Sequence, residues 1–201
     1  MAETLARRDE LLDKIVDVFL ADGIASLSLR PLSEKIGSSA RLLIYHFGSK
    51  EQLIALALDR VRARITTAVG ELLAIGHAES LEDFLRVFWK WAVKAKNQRY
   101  FRLLFEIDGL AMHESNVVPV HDRIAGATGW LKLFERRVES LADSAADRSG
   151  ASTLIVAAIN GLLHDFFATG DLKRTSAGLE FLIQMLSNQT ARHQRASRTG
   201  R

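Results

Sequence analysis

The chain has 201 residues, 48% hydrophobic and 25% charged, enough for the core of one domain or two small ones. It contains no cysteine, which excludes disulfides and thiolate metal sites and fits a reducing compartment. The net charge of +3 is carried by the end of the chain: residues 192–201 hold Arg192, Arg195, Arg198 and Arg201 and no acid, and residues 1–191 sum to −1. The body is therefore not a uniformly basic nucleic-acid binder, and the distribution of charge matters more than its total.

Two prolines, thirteen glycines and many Leu and Ala favour an all-α fold. The stretch MAETLARRDELLDK is charged from its start and lacks the apolar core of a signal peptide. No apolar run approaches the roughly 20 residues a membrane span needs. A cytoplasmic protein without a membrane partner is expected. In chain order, Leu5, Leu12, Ile15, Val16, Phe19 and Leu20 repeat at helical spacing over 5–22, and Gly23 ends the run. Ser28 is placed to cap a second helix, with Pro31 in its first turn and Leu29, Leu32 and Ile36 as its apolar stripe. Gly37 stops it. Ser38 or Ser39 caps a third helix over 40–47, which Gly48 ends. Ser49 with Gln52 forms a capping box for a fourth helix, running to about residue 75. Five further helices are predicted, over 81–97, 98–112, 119–142, 150–169 and 176–195, about nine in all. Residues 196–201 read as a disordered basic tail.

Two short helices joined by a glycine-containing turn match a helix-turn-helix. In the second of them Leu43, Ile44 and Phe47 are expected to face the core, which turns Ala40, Arg41 and Tyr45 outward. Residues 28–50 carry a net +3, whereas 9–22 hold five acids against Lys14. A positive segment beside a negative helix is expected when one element alone meets a polyanion. An arginine supplies the two-pronged donor that guanine presents acceptors for, and helix flanks commonly bond phosphates.

With these residues in view, positions 10–53 resemble the DNA-binding domain of the TetR family of bacterial transcriptional regulators. The resemblance is carried by LADGIASLSLRPLSEKIG, then SSARLLIYHF, then GSKEQL. It implies a head at 1–48 and a helical ligand-binding and dimerisation domain at 49–195, with the helix 50–75 joining the two. It also implies a homodimeric repressor of a palindromic operator on double-stranded DNA, released by a small-molecule inducer. Carried over by position, the DNA-binding residues are Arg30, Ser39, Ala40, Arg41, Tyr45, His46 and Lys50: Arg30 contacts a base or phosphate, Ala40 and Arg41 read bases, Tyr45 and His46 bond phosphates, and Lys50 meets the backbone. Leu42 stands where the family often has Thr, and Ile44 where it often has Tyr, so two hydroxyl contacts are missing.

The helices at 150–169 and 176–195 are apolar on more than one face, which suggests a two-fold four-helix bundle with a second copy. Its expected residues are Ile155, Ala158, Leu162, Phe166, Leu179, Leu182 and Leu186. An apolar or amphipathic inducer is expected among the bulky side chains between 84 and 134: Trp89, Phe105, Met112 and Trp130, with His113 or Asn160 as polar handles. There is no phosphate-binding glycine loop, no nucleophile paired with a base and no metal-ligand spacing, so neither catalysis nor a cofactor is expected. The alternative function is a helical small-molecule-binding protein whose head has lost operator recognition.

Overall fold

The computed structural model describes residues 2–25, 28–76, 80–113, 131, 134, 138 and 144–199, with side chains at 6–25, 28–71, 80–113, 131, 134, 138, 144 and 146–191. Eight helices occupy the described residues: α1 (Ala2–Asp22), α2 (Leu29–Lys35), α3 (Ala40–Phe47), α4 (Lys50–Gly76), α5 (Leu81–Ala92), α6 (Ala95–His113), α7 (Ala145–Thr169) and α8 (Leu172–Thr199). The fold class is all-α, as expected. Most of the helix predicted over 119–142 lies outside the described residues.

Two compact units are distinguishable. The first contains α1, α2, α3, α6 and α4 as far as Val69. Leu11, Leu12, Ile15, Val16, Phe19 and Leu20 recur every three or four residues along α1, and all are buried. They meet Leu32 and Ile36 of α2, Leu43 and Phe47 of α3, and the stripe Leu53, Ile54, Ala57, Leu58, Val61, Ile65 and Val69 of α4 in a single core. The turn after α2 closes as a Schellman motif: Ser38 N–H donates to Ser33 O at 2.8 Å and Gly37 N–H to Glu34 O at 3.2 Å. That motif needs a left-handed residue, and Gly37 has φ +66°. Ser28 sits at the start of α2 but its side chain makes no capping bond, so its expected role is only positional. Ser39 and Ser49 do cap, accepting from Leu42 N–H at 3.2 Å and Gln52 N–H at 3.1 Å.

Charge fastens α4 to α1 across the rim of this core. Arg60 reaches Asp9 at 2.9 Å, and Arg64 reaches Asp13 at 2.9 Å and Asp17 at 2.7 Å. Burial works against the charge of Arg64, but the hydrogen bonds it donates to Asp17 and then Asp13 outweigh it and leave the guanidinium pKa raised. The acidic run noticed in the sequence is therefore half of an ion-pair ladder. On the other side of α1, Glu106 of α6 accepts hydrogen bonds from Ile24 N–H (2.9 Å) and Ala25 N–H (2.6 Å), just past the end of α1.

The second unit holds the end of α4 with α5, α7 and α8. Leu81, Phe84, Leu85, Phe88, Trp89, Trp91 and Ala92 of α5 are buried, with Phe134 meeting Phe84 edge-on at 5.0 Å. Three polar links join α5 to α8: Arg86 clasps Glu180 (2.9 Å), Trp89 Nε1–H donates to Ser176 Oγ (2.9 Å), and Ser187 donates to Glu82 (2.7 Å). Between α7 and α8 the buried seam is Ser152, Ile155, Ile159 and Leu163 against Thr175, Leu179 and Ile183. Gly178 allows the close approach: a Cβ there would stand 2.9 Å from Leu162.

Several boundaries differ from the sequence expectations. The segment 81–97 is not one helix, since α5 ends at Ala92 and α6 starts at Ala95. The apolar periodicity runs through the break and conceals it. α7 starts at Ala145 because Ser144 accepts from Asp147 N–H at 3.1 Å, a cap that lies before the apolar run. α8 starts at Leu172, with the Asp171 carboxylate accepting from Arg174 N–H at 2.9 Å, so Thr175 and Ser176 lie inside the helix rather than at its cap. α8 also continues to Thr199, so residues 196–199 are helical rather than a disordered tail. No glycine or proline interrupts the chain between Gly178 and Gly200. The helix over 146–169 is long and apolar enough, by length and composition alone, to cross a bilayer, a test that the core helix of a bundle also passes. Its scattered Ser, Thr, Asn and His residues hid this from a search for unbroken apolar runs.

Candidate nucleic-acid interface

The unit built on α1 presents α3 with one side in the core and the other in solvent. Leu43 and Phe47 are buried, one turn apart. Arg41 and Tyr45, also one turn apart, are exposed, Tyr45 to 75%. Arg41 has no ion-pair or hydrogen-bond partner among the described residues. Ala40 is half-buried at the first position of the helix. A ring exposed to that extent gains little from packing, and a lone guanidinium beside it is held ready for an external acceptor.

The other expected residues occupy less open positions. Ser39 is exposed, but its hydroxyl oxygen already accepts from Leu42 N–H. His46 is half-buried between two rings, 5.2 Å from Tyr45 and 6.2 Å from Phe47. Lys50 is half-buried in the first turn of α4. Arg30 is exposed on α2 and pairs with Glu34 at 3.3 Å, a solvent-screened contact worth little in stability. Lys35 pairs with Asp22 at 2.7 Å. The positive segment is thus partly neutralised by neighbours, and Arg41 is the cation left unpaired on α3.

Ile44 departs from the reading that put it in the core. It is 40% exposed, on the side of α3 that carries Arg41 and Tyr45. A helix of eight residues has room for one buried stripe, and Leu43 and Phe47 fill it. The exposed apolar side chain suits contact with a thymine methyl, where a hydroxyl would suit a phosphate. Sequence reasoning also passed over Arg8. Its Nε–H donates to the His46 carbonyl at 3.2 Å, and its guanidinium lies 5.6 Å from the centre of the Phe47 ring. The signal that would have found it is a cation at the buried-edge position of α1, one turn before Leu11 and Leu12.

The expected ligand-pocket residues fall in both units. In the first, Phe105 is half-buried, whereas Met112 is 82% exposed and His113 is exposed at the end of α6. In the second, Trp89 is buried and committed to Ser176, and Asn160 is exposed on α7. Trp130 lies outside the described residues. Two crevices are lined by other residues. One of about 290 Å³ runs between the end of α1 and α6, past Asp22, Gly23, Arg99, Arg102 and Glu106. One of about 420 Å³ lies over Arg86, Glu180, Phe181, Gln184 and Ser187.

The expected dimer residues are split by their own packing. Ile155 and Leu179 are buried in the α7–α8 seam of one chain, so they do not form an outward face. Ala158, Leu162, Phe166, Leu182 and Leu186 are half-buried. The outward apolar side chains are instead Leu154 on α7 with Phe181 (66% exposed) and Met185 on α8. Asp165 is tied to Arg174 by two bonds of 2.6 and 2.8 Å. Hydrogen bonding from Arg174 holds its carboxyl below the usual range.

Comparison with known proteins bears on this geometry. Residues 11–57, from the middle of α1 into α4, match the family model of bacterial regulatory proteins, tetR family. The HTH-type transcriptional repressor NicS of Pseudomonas putida is 29% identical over 89 residues, covering 43% of this chain and 42% of that protein, so the match spans less than half of either. Among solved structures, a TetR-family transcriptional regulator from Rhodococcus sp. aligns over 94% of this chain and 100% of its own at a TM-score of 0.72 with 18% identity. The multidrug binding protein EbrR, complexed with imidazole, aligns over 90% of this chain and 89% of its own at a TM-score of 0.67 with 21% identity. EbrR has also been solved with proflavin. At these identities the solved structures establish the shared fold.

Proposed function

We propose that the chain is a member of the TetR family of bacterial regulatory proteins, whose model matches residues 11–57, and that it is a sequence-specific DNA-binding transcriptional regulator, a homodimeric repressor of a palindromic operator that a small apolar or amphipathic inducer releases. The observation that carries the DNA-binding reading is the outward set on α3: unpaired Arg41, Tyr45 at 75% exposure and Ile44 at 40%. Seated in a major groove, α3 brings the Arg41 fork to guanine O6 and N7 and Ile44 to thymine methyls. Tyr45, with Lys50 and Arg30 on the flanks, reaches phosphates, which set register without reading sequence.

Self-association is supported by the uncovered apolar side chains Leu154, Phe181 and Met185 on α7 and α8. Two helices per subunit close a two-fold four-helix bundle. This reading takes 146–169 as a bundle helix: one side packs on α8 and the other receives the second copy. Two heads held at a fixed separation match half-sites about one helical turn apart, or a somewhat larger register. Inducer response is supported by the fold shared with EbrR, a protein described as binding multiple drugs. The inducer acts by preferring the conformation whose heads are wrongly spaced, and it shifts the equilibrium by no more than its differential affinity for the two conformations.

The test is selection of bound duplexes from a random pool at roughly 150 mM salt, where non-specific phosphate binding is weak. The protein and an Arg41→Ala, Tyr45→Ala variant are run side by side. An inverted repeat enriched by the protein and not by the variant supports the proposal. No enrichment by the unmodified chain refutes operator recognition and leaves a helical small-molecule-binding protein.

A further inference from the structure

The recognition helix is short and its hold on the core is narrow. α3 has eight residues, too few to be stable without tertiary contacts. Its buried side chains, Leu43 and Phe47, stand one turn apart on a single line. Two anchors on one line resist sliding along the helix axis but leave rolling about that line less restrained. Rolling is the motion that would swing Arg41, Ile44 and Tyr45 across a base edge, and hydrogen-bond readout tolerates little misplacement.

Arg8 of α1 supplies a contact off that line. Ile44 O accepts from Gly48 N–H at 2.8 Å and Phe47 O from Ser49 N–H at 3.0 Å, as the turn after α3 continues. His46 O lies in the same last turn, where a helix has no donors of its own, and the Arg8 Nε–H supplies one at 3.2 Å. The same guanidinium lies 5.6 Å from the centre of the Phe47 ring, so one side chain grips both the backbone and the anchor of that turn. Its positive charge stands at the negative end of the α3 dipole. Arg8 is half-buried, and both contacts are with protein.

We propose that Arg8 is a positioning residue for operator recognition: by clamping the C-terminal turn of α3 it sets the roll of the recognition helix and hence the aim of Arg41, Ile44 and Tyr45, without itself contacting DNA. The inference rests on the regulator reading above.

The experiment uses the full chain and the duplex enriched from the random pool, with a scrambled duplex of equal length as the non-specific reference. Arg8→Ala is expected to weaken binding to the enriched duplex by about tenfold or more, the scale of one charge-assisted hydrogen bond. Binding to the scrambled duplex should stay within about twofold, and the slope of log affinity against log salt should not change. Arg8→Lys keeps the charge and stem but loses the planar Nε–H donor, and it should recover only part of the loss. Equal affinity of Arg8→Ala and the parent for the enriched duplex would overturn the proposal. So would parallel loss on both duplexes with a salt slope shallower by about 0.9 per subunit, because Arg8 would then be a phosphate contact. Should Arg8→Ala fail to fold, Arg8→Lys and Arg8→Gln carry the same comparison, and the same outcomes decide it. Failure of the unmodified chain to enrich any duplex would refute the regulator reading itself, a separate result from an unaltered Arg8 variant.

Discussion

Gly23→Ala tests how the end of α1 is held, and its cost can be worked from the structure. Gly23 has φ +73°, a conformation in which alanine is less stable than glycine by about 1 kcal/mol. A methyl group there would also lie 2.8 Å from Glu106 Oε1 and 3.0 Å from its Cδ. Glu106 is flexible and can withdraw, so the steric overlap itself is cheap to relieve. Withdrawal breaks the hydrogen bonds from Ile24 N–H and Ala25 N–H. Bonds to a charged group contribute about 1.5–3 kcal/mol each, but Ala25 is exposed and water replaces much of its share. A loss of about 1–2 kcal/mol from the latch is reasonable, and about 2–3 kcal/mol in total. For a chain of this size that lowers Tm by roughly 4–12 °C. Thermal unfolding at one fixed protein concentration measures it, because the proposed self-association would make Tm concentration-dependent. Glu106→Ala alone should cost only the latch. Gly23→Ala added to Glu106→Ala should cost only the backbone term of about 1 kcal/mol. Additivity of the two substitutions within about 0.3 kcal/mol would refute the reasoning, since independent sites add and coupled ones do not.

Two further outcomes are expected. The Glu180 carboxyl is held below its usual 4.5 first by the hydrogen bond from Arg86 and then by its charge, with burial opposing. A carboxyl depressed in the folded state stabilises above its unfolded pKa and loses that contribution as pH falls through the folded value. Arg86→Ala should therefore lower Tm at pH 7, with the difference from the parent shrinking as pH falls below the usual carboxylate range; a difference that stays constant as the carboxyl is protonated would contradict the assignment. A Leu154→Asp, Phe181→Asp variant should weaken self-association about a hundredfold in sedimentation equilibrium while leaving helix content unchanged, because both positions are exposed in the single chain. A variant that remains dimeric at the same concentrations would move the interface elsewhere.

Much of the head was readable from sequence because its signals are local. The periodicity of α1 and the Ser39 and Ser49 caps lie within a few residues of the effects they cause. Gly37 in the turn before α3 is equally local. The outward aim of Arg41 and Tyr45 follows from the same spacing. Ile44 did not follow, because helical spacing defines an arc while the width of the neighbouring core decides how much of that arc is covered. The α5–α6 break at Val93 and Lys94 was hidden for a related reason: apolar residues continue on both sides of it.

What the sequence by itself determined is the set of helices near the N-terminus and the face that α3 turns away from its own core. What only tertiary structure decided is which partner each polar group found across distances of tens of residues. In the sequence Asp9, Asp13 and Asp17 are only part of a negative helix; the fold brings Arg60 and Arg64 against them. Arg8 is passed over in the sequence, and only the fold brings the His46 carbonyl beside it. Ile155 and Leu179 looked like an interface until the α7–α8 seam enclosed them and left Leu154 and Phe181 outside. The reason is physical: apolar periodicity is enforced by each helix on itself, whereas a long charged side chain has many partners within reach, and only the packed backbone selects among them.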